Sequence, residues 1–312
     1  MIFAKNPLVI LAYHGLVLDT RNVLNDFCFV TPEKLLSDLS TIRKMGWSLV
    51  GLNEGLLELA ERKLRCPSVA ITFDDGLSSV VELGSSILSE HKTRATIFIP
   101  SEISLSGGCL WYTQVISALK ATQLSNFEFL GRRFSIADFS ERARANILIQ
   151  NALRAIHPRA IKSMMQELLQ RLEVDSSFAS DQYRVLSPSQ CATAQANGVF
   201  DFGAHSATHA IHSQLDEKEL RSEIAESLRF VDSLKNSGPL LYAYPNGRKR
   251  DFSARCSRIL SEQGAYCALS TIPGWNFSLS DVFSIRRFCV GQRTDLKGVL
   301  SSIRWKCQGW LA

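Results

Sequence analysis

The chain has 312 residues, of which 46% are hydrophobic and 21% charged, and this composition excludes a disordered, collagen-like or fibrous protein. The net charge of +5 comes from 35 basic and 30 acidic residues without a dominant block, which is too little to indicate a nucleic-acid partner. The length fits two ordinary domains or one large barrel with an insertion.

Short apolar runs alternate with helical stretches along most of the chain. The predicted strands are residues 8–13, 69–73, 95–99, 199–204, 240–244, 265–270 and 282–290. The predicted helices between and after them are residues 32–45, 53–63, 77–91, 189–196, 217–235, 252–263 and 296–305. Strands separated by helix-length segments indicate parallel βαβ units. Seven of them predict an α/β fold of the distorted (β/α)7-barrel type rather than an open sheet.

The alternation stops between residues 101 and 186. Predicted there are a helix at 111–121, a hairpin at 127–136 and two charged helices at 139–156 and 159–172. We therefore expect residues 1–100 and 187–312 to form the barrel and residues 101–186 to be a mostly helical insertion.

Compartment signals are few. The eight cysteines are scattered, without a C-x-x-C pair, which favours reduced cysteines of a cytoplasmic protein. The apolar stretch at residues 8–13 is too short for a signal peptide, and no window of about 18 apolar residues predicts a membrane span.

Near the C-terminus, Trp305 and Trp310 stand beside Arg304 and Lys306. This segment has two interpretations, a helix packed on the barrel or a contact with the inner face of the membrane.

The segment T-F-D-D-G at residues 72–76 follows a predicted strand. In an α/β barrel the carboxyl ends of the strands form the active-site face. Adjacent carboxylates repel each other, so Asp74 and Asp75 suit a cation or a division of roles in which one binds metal and the other is a base. Taken alone, the pattern is equally typical of a surface turn.

The segment H-S-A-T-H at residues 205–209 also follows a predicted strand. His205 and His209 face the same way if this turn is helical, and two imidazoles on one side are good ligands for a divalent metal. With one aspartate they make a three-ligand set with open positions, the layout of a catalytic metal. His212, three residues on, is either a further ligand or a solvated turn residue.

These two motifs resemble the first and second motifs of the polysaccharide deacetylases, the NodB homology family also called carbohydrate esterase family 4. The resemblance covers roughly residues 1–100 and 187–300. It implies that Asp75, His205 and His209 hold the metal. It also implies that Asp74 is the general base for the water that attacks the amide of an N-acyl sugar.

The third family motif, usually R-x-P-Y, is matched by A-Y-P-N-G at residues 243–247. The resemblance assigns the backbone N–H of Asn246 to the oxyanion and places Tyr244 and Pro245 at the substrate. Ala243 replaces the arginine that orients the base in the family. Arg287 and its neighbour Arg286, near the end of a late predicted strand, are the candidates to supply that group, and the alternative is that they are surface arginines at a strand edge.

The late histidine that serves as general acid in the family is missing, because no histidine follows His212. Tyr13 and His14 stand at the end of the first predicted strand instead. This resembles a branch of the family with an early Tyr-His pair, in which His14 protonates the leaving amine. The alternative is a histidine packed in the core. Trp111 and Trp275 are further candidates for stacking on a sugar ring.

The sequence thus predicts a metal-dependent hydrolase that removes an N-acyl group, above all N-acetyl, from an amino sugar of a glycan or of a nucleotide-linked or lipid-linked precursor. The expected metal is Zn²⁺, with Co²⁺, Ni²⁺ or Mn²⁺ as alternatives. A deformylase of a lipid-linked amino sugar and a catalytically impaired glycan-binding relative remain open. An unrelated metallohydrolase is disfavoured, since the chain lacks an early H-x-H motif.

Overall fold

The computed structural model describes residues 6–24, 28–175, 183–234 and 238–308. Its strands are β1 (Leu8–Tyr13), β2 (Gly15–Leu16), β3 (Phe29–Val30), β4 (Ser48–Leu49), β5 (Ser68–Phe73), β6 (Ala95–Ile99), β7 (Asn126–Phe129), β8 (Arg132–Ser135), β9 (Phe200–Ala204), β10 (Leu241–Ala243), β11 (Cys267–Leu269) and β12 (Phe288–Cys289). Its α-helices are α1 (Pro32–Lys44), α2 (Leu52–Ala60), α3 (Ser78–Glu90), α4 (Ser101–Ser106), α5 (Trp111–Ala121), α6 (Phe139–Arg154), α7 (Pro158–Arg171), α8 (Pro188–Ala196), α9 (Glu217–Leu234), α10 (Ala254–Glu262) and α11 (Leu296–Gln308).

The main sheet has the order β11-β10-β9-β6-β5-β1-β12, and β4 pairs with β5 outside this path. Every pairing within it is parallel. The predicted distorted (β/α)7 barrel is confirmed. Because all these strands run the same way, their carboxyl ends meet at one edge, where loops bring together side chains that are distant in sequence.

The last extended segment closes the barrel. Ile285 forms a parallel bridge with Leu269 of β11, and three residues later Phe288 pairs with Leu11 of β1. The sequence predicts a strand over residues 282–290, but only Phe288–Cys289 form a regular strand. The segment changes partner from β11 to β1 along its length, and neither ladder therefore becomes long.

Local sequence sets several helix starts. Thr31 caps α1 by accepting a hydrogen bond from the Lys34 N–H, and Pro32 occupies the first helical position. Ser187 and Gln190 form a reciprocal capping box at the start of α8. These polar contacts satisfy backbone N–H groups that a helix cannot satisfy internally.

Residues 101–186 contribute α4 to α7 and the antiparallel hairpin β7–β8, and none of their described residues joins the main sheet. Phe127 and Phe134 stack across the hairpin with ring centroids 5.3 Å apart. Buried side chains of this segment belong to the same apolar core as β1, β5 and β9. The segment therefore packs continuously onto the barrel.

The C-terminal helix α11 is as expected from the sequence. Trp310 lies outside the described residues, as does the side chain of Trp305. No helix in the described ranges is both long and apolar enough to cross a membrane.

His212 is a core residue, which contradicts the expectation of a solvated turn. It is fully buried, with Nδ1 3.0 Å from the Ala210 carbonyl oxygen and Nε2 2.7 Å from the Tyr242 hydroxyl. A carbonyl oxygen can only accept, so Nδ1 carries the proton and Nε2 accepts from the tyrosine. Both ring nitrogens are used inside the protein, which leaves none for a metal.

We predict that replacing Gly76 by alanine destabilises the protein more than the same change at Gly107. Both glycines have φ of +65°, which costs an L-residue about 1–2 kcal/mol. A Cβ at Gly76 would lie 2.7 Å from Cγ1 of Ile99, whereas one at Gly107 meets nothing within 4 Å. Overpacking adds about 1–3 kcal/mol. Urea denaturation of both variants measures the difference, and equal losses would contradict the account.

We predict that His212 makes stability fall as the pH drops from about 6.5 to about 4. Burial lowers the pKa of His212 to about 4. Between these pH values the imidazole is protonated in the unfolded chain but not in the folded chain. The free energy of unfolding therefore falls by up to about 1.4 kcal/mol for each pH unit. Unfolding free energies of metal-free protein across this range should show a shallower slope for His212→Gln. A matched change at the part-exposed His157, to Gln, should leave the slope unchanged. Equal slopes for wild type and His212→Gln would refute the prediction.

Candidate active site

The predicted site residues follow parallel strands of the main sheet, of which β1 and β5 are adjacent and β9 is separated from β5 by β6. Asp74 and Asp75 come directly after β5, His205 follows β9, and His14 follows β1. The Asp74 N–H donates to the Tyr13 carbonyl oxygen, which fixes the turn after β5 against the end of β1. The sequence motifs are thereby brought to one end of the barrel.

Asp75, His205 and His209 converge. One potential ligand atom from each lies within 4.8 Å of the other two, and all three residues are buried. Nε2 of His205 is 3.4 Å and Nε2 of His209 is 3.1 Å from Oδ1 of Asp75. The structure therefore contains a candidate Asp–His–His metal site.

The chemistry of these donors fits a divalent cation. Nδ1 of His205 lies 2.8 Å from the Ala243 carbonyl oxygen, so it carries the proton and Nε2 presents a lone pair. Oδ1 of Asp75 is buried without a hydrogen-bond partner in the described residues. An anionic oxygen and two imidazole nitrogens that point at one small volume are a ligand set that a cation satisfies.

Electrostatics keep the carboxylate ionised. Burial alone would raise the pKa of Asp75, but its contacts with His205 and His209 and the nearby His14 hold that pKa well below its usual range. Burial disfavours a charged His205, yet its close contact with Asp75 and the negative charges of Asp74 and Asp75 raise its pKa overall. Positive charge is therefore favoured at this position.

The two histidines meet through a loop rather than a helical turn, contrary to the prediction. Residues 205–209 are not helical, and Ser206 (φ 67°) and His209 (φ 62°) both adopt the left-handed region. Such backbone conformations cost free energy in non-glycine residues and persist only where the surroundings enforce them. The fold supplies an explicit support for this loop.

That support is Glu223 of α9. Its carboxylate accepts hydrogen bonds from the N–H groups of Ala207 and Thr208, at 2.9 Å each, and from the hydroxyls of Ser206 and Thr208. Four donors on one carboxylate hold the backbone between the two histidines. Sequence reasoning missed Glu223, because a glutamate on an amphipathic helix carries no local sign of this contact.

Asp74 forms a bidentate ion pair with Arg287. Nη1 lies 2.7 Å from Oδ1 and Nη2 lies 2.8 Å from Oδ2, with both side chains almost completely buried. Nε of Arg287 also donates to the Ser270 carbonyl oxygen, and Nη1 donates to the Thr72 hydroxyl. Burial alone would raise the pKa of Asp74, but the Arg287 guanidinium, with His205 and His14, lowers it. Asp74 is therefore held ionised in a fixed orientation.

The side chain of Arg286 points away from Asp74, towards the surface. Its Nη1 lies 3.3 Å from the Pro273 carbonyl oxygen at the surface. Of the two arginines considered from the sequence, Arg287 is the one that contacts Asp74.

Asn246 lies beyond β10 with φ of 57°. Its carbonyl oxygen accepts from the Thr271 hydroxyl, at 2.6 Å. No acceptor for its backbone N–H is found within the described part of the chain. An N–H held in a fixed loop without a protein acceptor is suited to a developing negative charge.

His14 is half-buried at the end of β1. It lies close enough to Asp74 and Asp75 to lower the pKa of each. Its Nδ1 is buried and has no hydrogen-bond partner among the residues that the structure describes. The satisfied core histidine considered as an alternative is therefore not what the structure shows.

Two aromatic residues of α5 lie beside the Asp–His–His cluster. Tyr112 donates a hydrogen bond of 2.6 Å to Oδ2 of Asp75, and its ring centroid is 6.4 Å from that of His209. Trp111 packs edge-on against Tyr112 and is half-buried, with the Arg154 guanidinium 6.0 Å from its ring centroid. Trp111 is thus in contact with the tyrosine that binds Asp75, and its role as a substrate contact stays a prediction.

Three other predicted substrate contacts are placed differently. Tyr244 is fully buried, stacks on Phe252 and donates to the Phe283 carbonyl oxygen, so its ring has no free face. Pro245 is buried beside it. Asn276, next to Trp275, exchanges backbone hydrogen bonds with Leu8 at the amino end of β1, opposite the site. We therefore leave the Tyr244 ring and Trp275 out of the substrate contacts.

Comparison with solved structures shows the same fold over nearly the whole chain. A deacetylase PplD from Streptococcus pyogenes, solved with acetate, has a TM-score of 0.63 at 15% identity, covering 96% of this chain and 98% of that one. IcaB from Ammonifex degensii has a TM-score of 0.61 at 17% identity, covering 95% and 96%. A de-N-acetylase from Aggregatibacter actinomycetemcomitans has a TM-score of 0.58 at 11% identity, covering 95% and 99%. No curated protein matches the chain significantly in sequence.

The sequence model of the polysaccharide deacetylases matches residues 110–267, just over half of the chain. The matched range includes His205, His209 and Asn246, whereas Asp74, Asp75 and Arg287 lie outside it and join the site through the fold. The match also takes in most of the segment expected to be an insertion. The chain therefore belongs to the polysaccharide deacetylase family and is a sugar N-deacetylase.

Proposed function

We propose that the protein uses a divalent metal to hydrolyse the N-acyl group, specifically N-acetyl, of an amino sugar in a polysaccharide, an oligosaccharide or a glycolipid precursor. The observation that carries this proposal is the Asp75–His205–His209 cluster beside the Arg287-paired Asp74. A metal site and an ionised, oriented base next to each other are what amide hydrolysis by water requires.

In this proposal Asp75, His205 and His209 hold the metal. One carboxylate oxygen and two imidazole nitrogens are typical of catalytic Zn²⁺, and Co²⁺, Ni²⁺ or Mn²⁺ accept the same ligands. A divalent ion in such a site supplies Lewis acidity, which makes water more acidic and an amide carbonyl more electrophilic.

The remaining residues handle the proton and the developing charge. Asp74 accepts a proton from the attacking water, while Arg287 fixes the orientation of the carboxylate. As the carbonyl oxygen becomes negative, the Asn246 N–H donates to it. His14 protonates the sugar nitrogen as the C–N bond breaks, which releases the free amine and a carboxylic acid.

The substrate is proposed to lie over Trp111, whose half-exposed ring can pack on a sugar. In this proposal the substrate is a glycan or a nucleotide-linked or lipid-linked sugar, and the barrel of residues 1–100 and 187–312 binds it beside the helical insertion 101–186. A cytoplasmic location remains a prediction from the sequence.

A catalytically impaired glycan-binding relative is the alternative left by the missing third-motif arginine. The contact between Arg287 and Asp74 speaks against it, because the base has an arginine partner from another strand. Amine release from N-acetyl and N-formyl amino sugars, each free, nucleotide-linked and lipid-linked, tests the function. No release from any of them by metal-loaded protein would refute the proposal.

We predict that Asp74→Asn lowers turnover by about 10²–10⁴-fold, because an amide cannot accept the proton from water. The metal content should stay at the wild-type value, since Asp74 is not a proposed ligand. Asp38→Asn is a matched control, because Asp38 is also buried and ion-paired, to Lys34 at 2.5 Å. Amine-release kinetics measure the turnover of the folded variants, and metal analysis measures their metal content. Wild-type turnover in Asp74→Asn would exclude Asp74 as the base.

We predict that chelation abolishes activity, that added Zn²⁺ restores it, and that metal affinity weakens as the pH falls. The carboxylates raise the pKa of His205, and a protonated imidazole cannot bind metal. Below that raised pKa the apparent affinity should fall by up to about tenfold per pH unit for one displaced proton. Competition with a chromophoric chelator at several pH values measures it. An affinity independent of pH would show that His205 is not a ligand.

A further inference from the structure

Because Tyr112 donates a hydrogen bond to Asp75, the two oxygens of this carboxylate have different neighbours. Oδ2 accepts from the Tyr112 hydroxyl at 2.6 Å, whereas Oδ1 faces Nε2 of His205 and of His209. Both side chains are buried, so water does not compete for either oxygen. A hydrogen bond to an ionised acceptor is about twice as strong as one between neutral groups.

We propose that Tyr112 is a positioning residue that keeps Asp75 a one-oxygen metal ligand and thereby strengthens metal binding. This inference rests on the metal site proposed above. With Oδ2 engaged by the phenol, the carboxylate plane is fixed and Oδ1 alone points towards the imidazoles. Without the phenol, the carboxylate is free to rotate and to offer both oxygens.

The phenol is itself held in place. Tyr112 lies in the first turn of α5, and its ring meets Trp111 edge-on at 6.1 Å and lies beside His209. Asp75 adopts φ of 75°, a conformation that leaves its side chain a restricted direction. The backbone of Asp75 thus restricts where its side chain starts, and the packed phenol fixes the rotation of the carboxylate itself.

The position of Tyr112 in the chain gives this contact a wider meaning. The tyrosine belongs to residues 101–186, which add no described strand to the barrel. Through Tyr112 this segment reaches the proposed metal ligands directly. We therefore assign it a part in building the site, beyond covering the barrel.

The test is the metal affinity and the Co²⁺ absorption spectrum of Tyr112→Phe in the full chain. Loss of a hydrogen bond to a metal ligand typically weakens metal binding 10–100-fold, and we expect an effect of that size. The visible bands of the Co²⁺-loaded variant should also shift, because the coordination of the carboxylate changes. A purely structural role for the phenol would lower thermal stability without moving these bands.

Tyr13→Phe is the matched control. Tyr13 is also buried, and its hydroxyl donates at 2.9 Å to a buried carboxylate, Asp38, that is not among the proposed metal ligands. Its removal should cost stability and leave metal affinity and spectrum unchanged. If Tyr112→Phe keeps the wild-type affinity within twofold and the wild-type spectrum, the inference is overturned while the proposed function stands. If the wild-type protein binds no metal, the proposed function itself fails.

A crystal structure of the metal-loaded wild-type protein tests the same point without a variant. Oδ1 of Asp75 should be the ligand atom, and Oδ2 should still accept from Tyr112. A carboxylate bound through both oxygens would overturn the inference, whether or not Tyr112→Phe folds.

Discussion

Two adjacent carboxylates are buried at the end of β5, and much of the surrounding structure compensates for their charge. Unpaired buried carboxylates would be protonated or would destabilise the fold. Each finds a different partner set: Arg287 binds Asp74 through two hydrogen bonds, whereas Asp75 faces two histidines and a tyrosine. The two aspartates therefore differ: the Arg287 guanidinium orients Asp74, whereas Asp75 faces the candidate metal site.

Arg287 shows how a family function persists when a motif residue is lost. The third-motif position is Ala243, which has no side chain to reach the base. Arg287 approaches Asp74 from the segment that closes the barrel, and Thr72 and Ser270 fix its direction. The closing segment therefore supplies to Asp74, the proposed base, the guanidinium that the third motif lacks.

The sequence was informative where chemistry follows regular structure. The periodicity of apolar residues predicts the barrel strands, and the location of active sites at the carboxyl ends of barrel strands predicts that Asp74, Asp75 and His205 share one face. It was less informative for residues whose role depends on distant partners. His212 has the same local setting as a solvated turn histidine, and only its contact with Tyr242 makes it a core residue.

The geometry of the loops could not be predicted from the sequence, because it depends on contacts with distant parts of the chain. His205 and His209 converge through left-handed backbone that Glu223 stabilises from another helix, and no helical spacing describes that geometry. Trp275 follows a strand in sequence, as Asp75 and His205 do, yet its loop returns to the opposite end of the barrel. Nothing in the local sequence marks Tyr112 as the tyrosine that contacts Asp75, because hydrogen bonds across the fold leave no trace there.

The contact between Asp74 and Arg287 spans 213 positions of the chain, and this separation bears on how the protein folds. Closing so long a loop is slow and entropically unfavourable until many other contacts exist. A growing chain that has made β5 but not the closing segment holds an aspartate without its cation. We expect the Asp74 carboxylate to stay hydrated in such intermediates. Water would then leave the interior at this end of the barrel only when the last strand packs against the sheet. The base and the finished core would then form in the same late folding step.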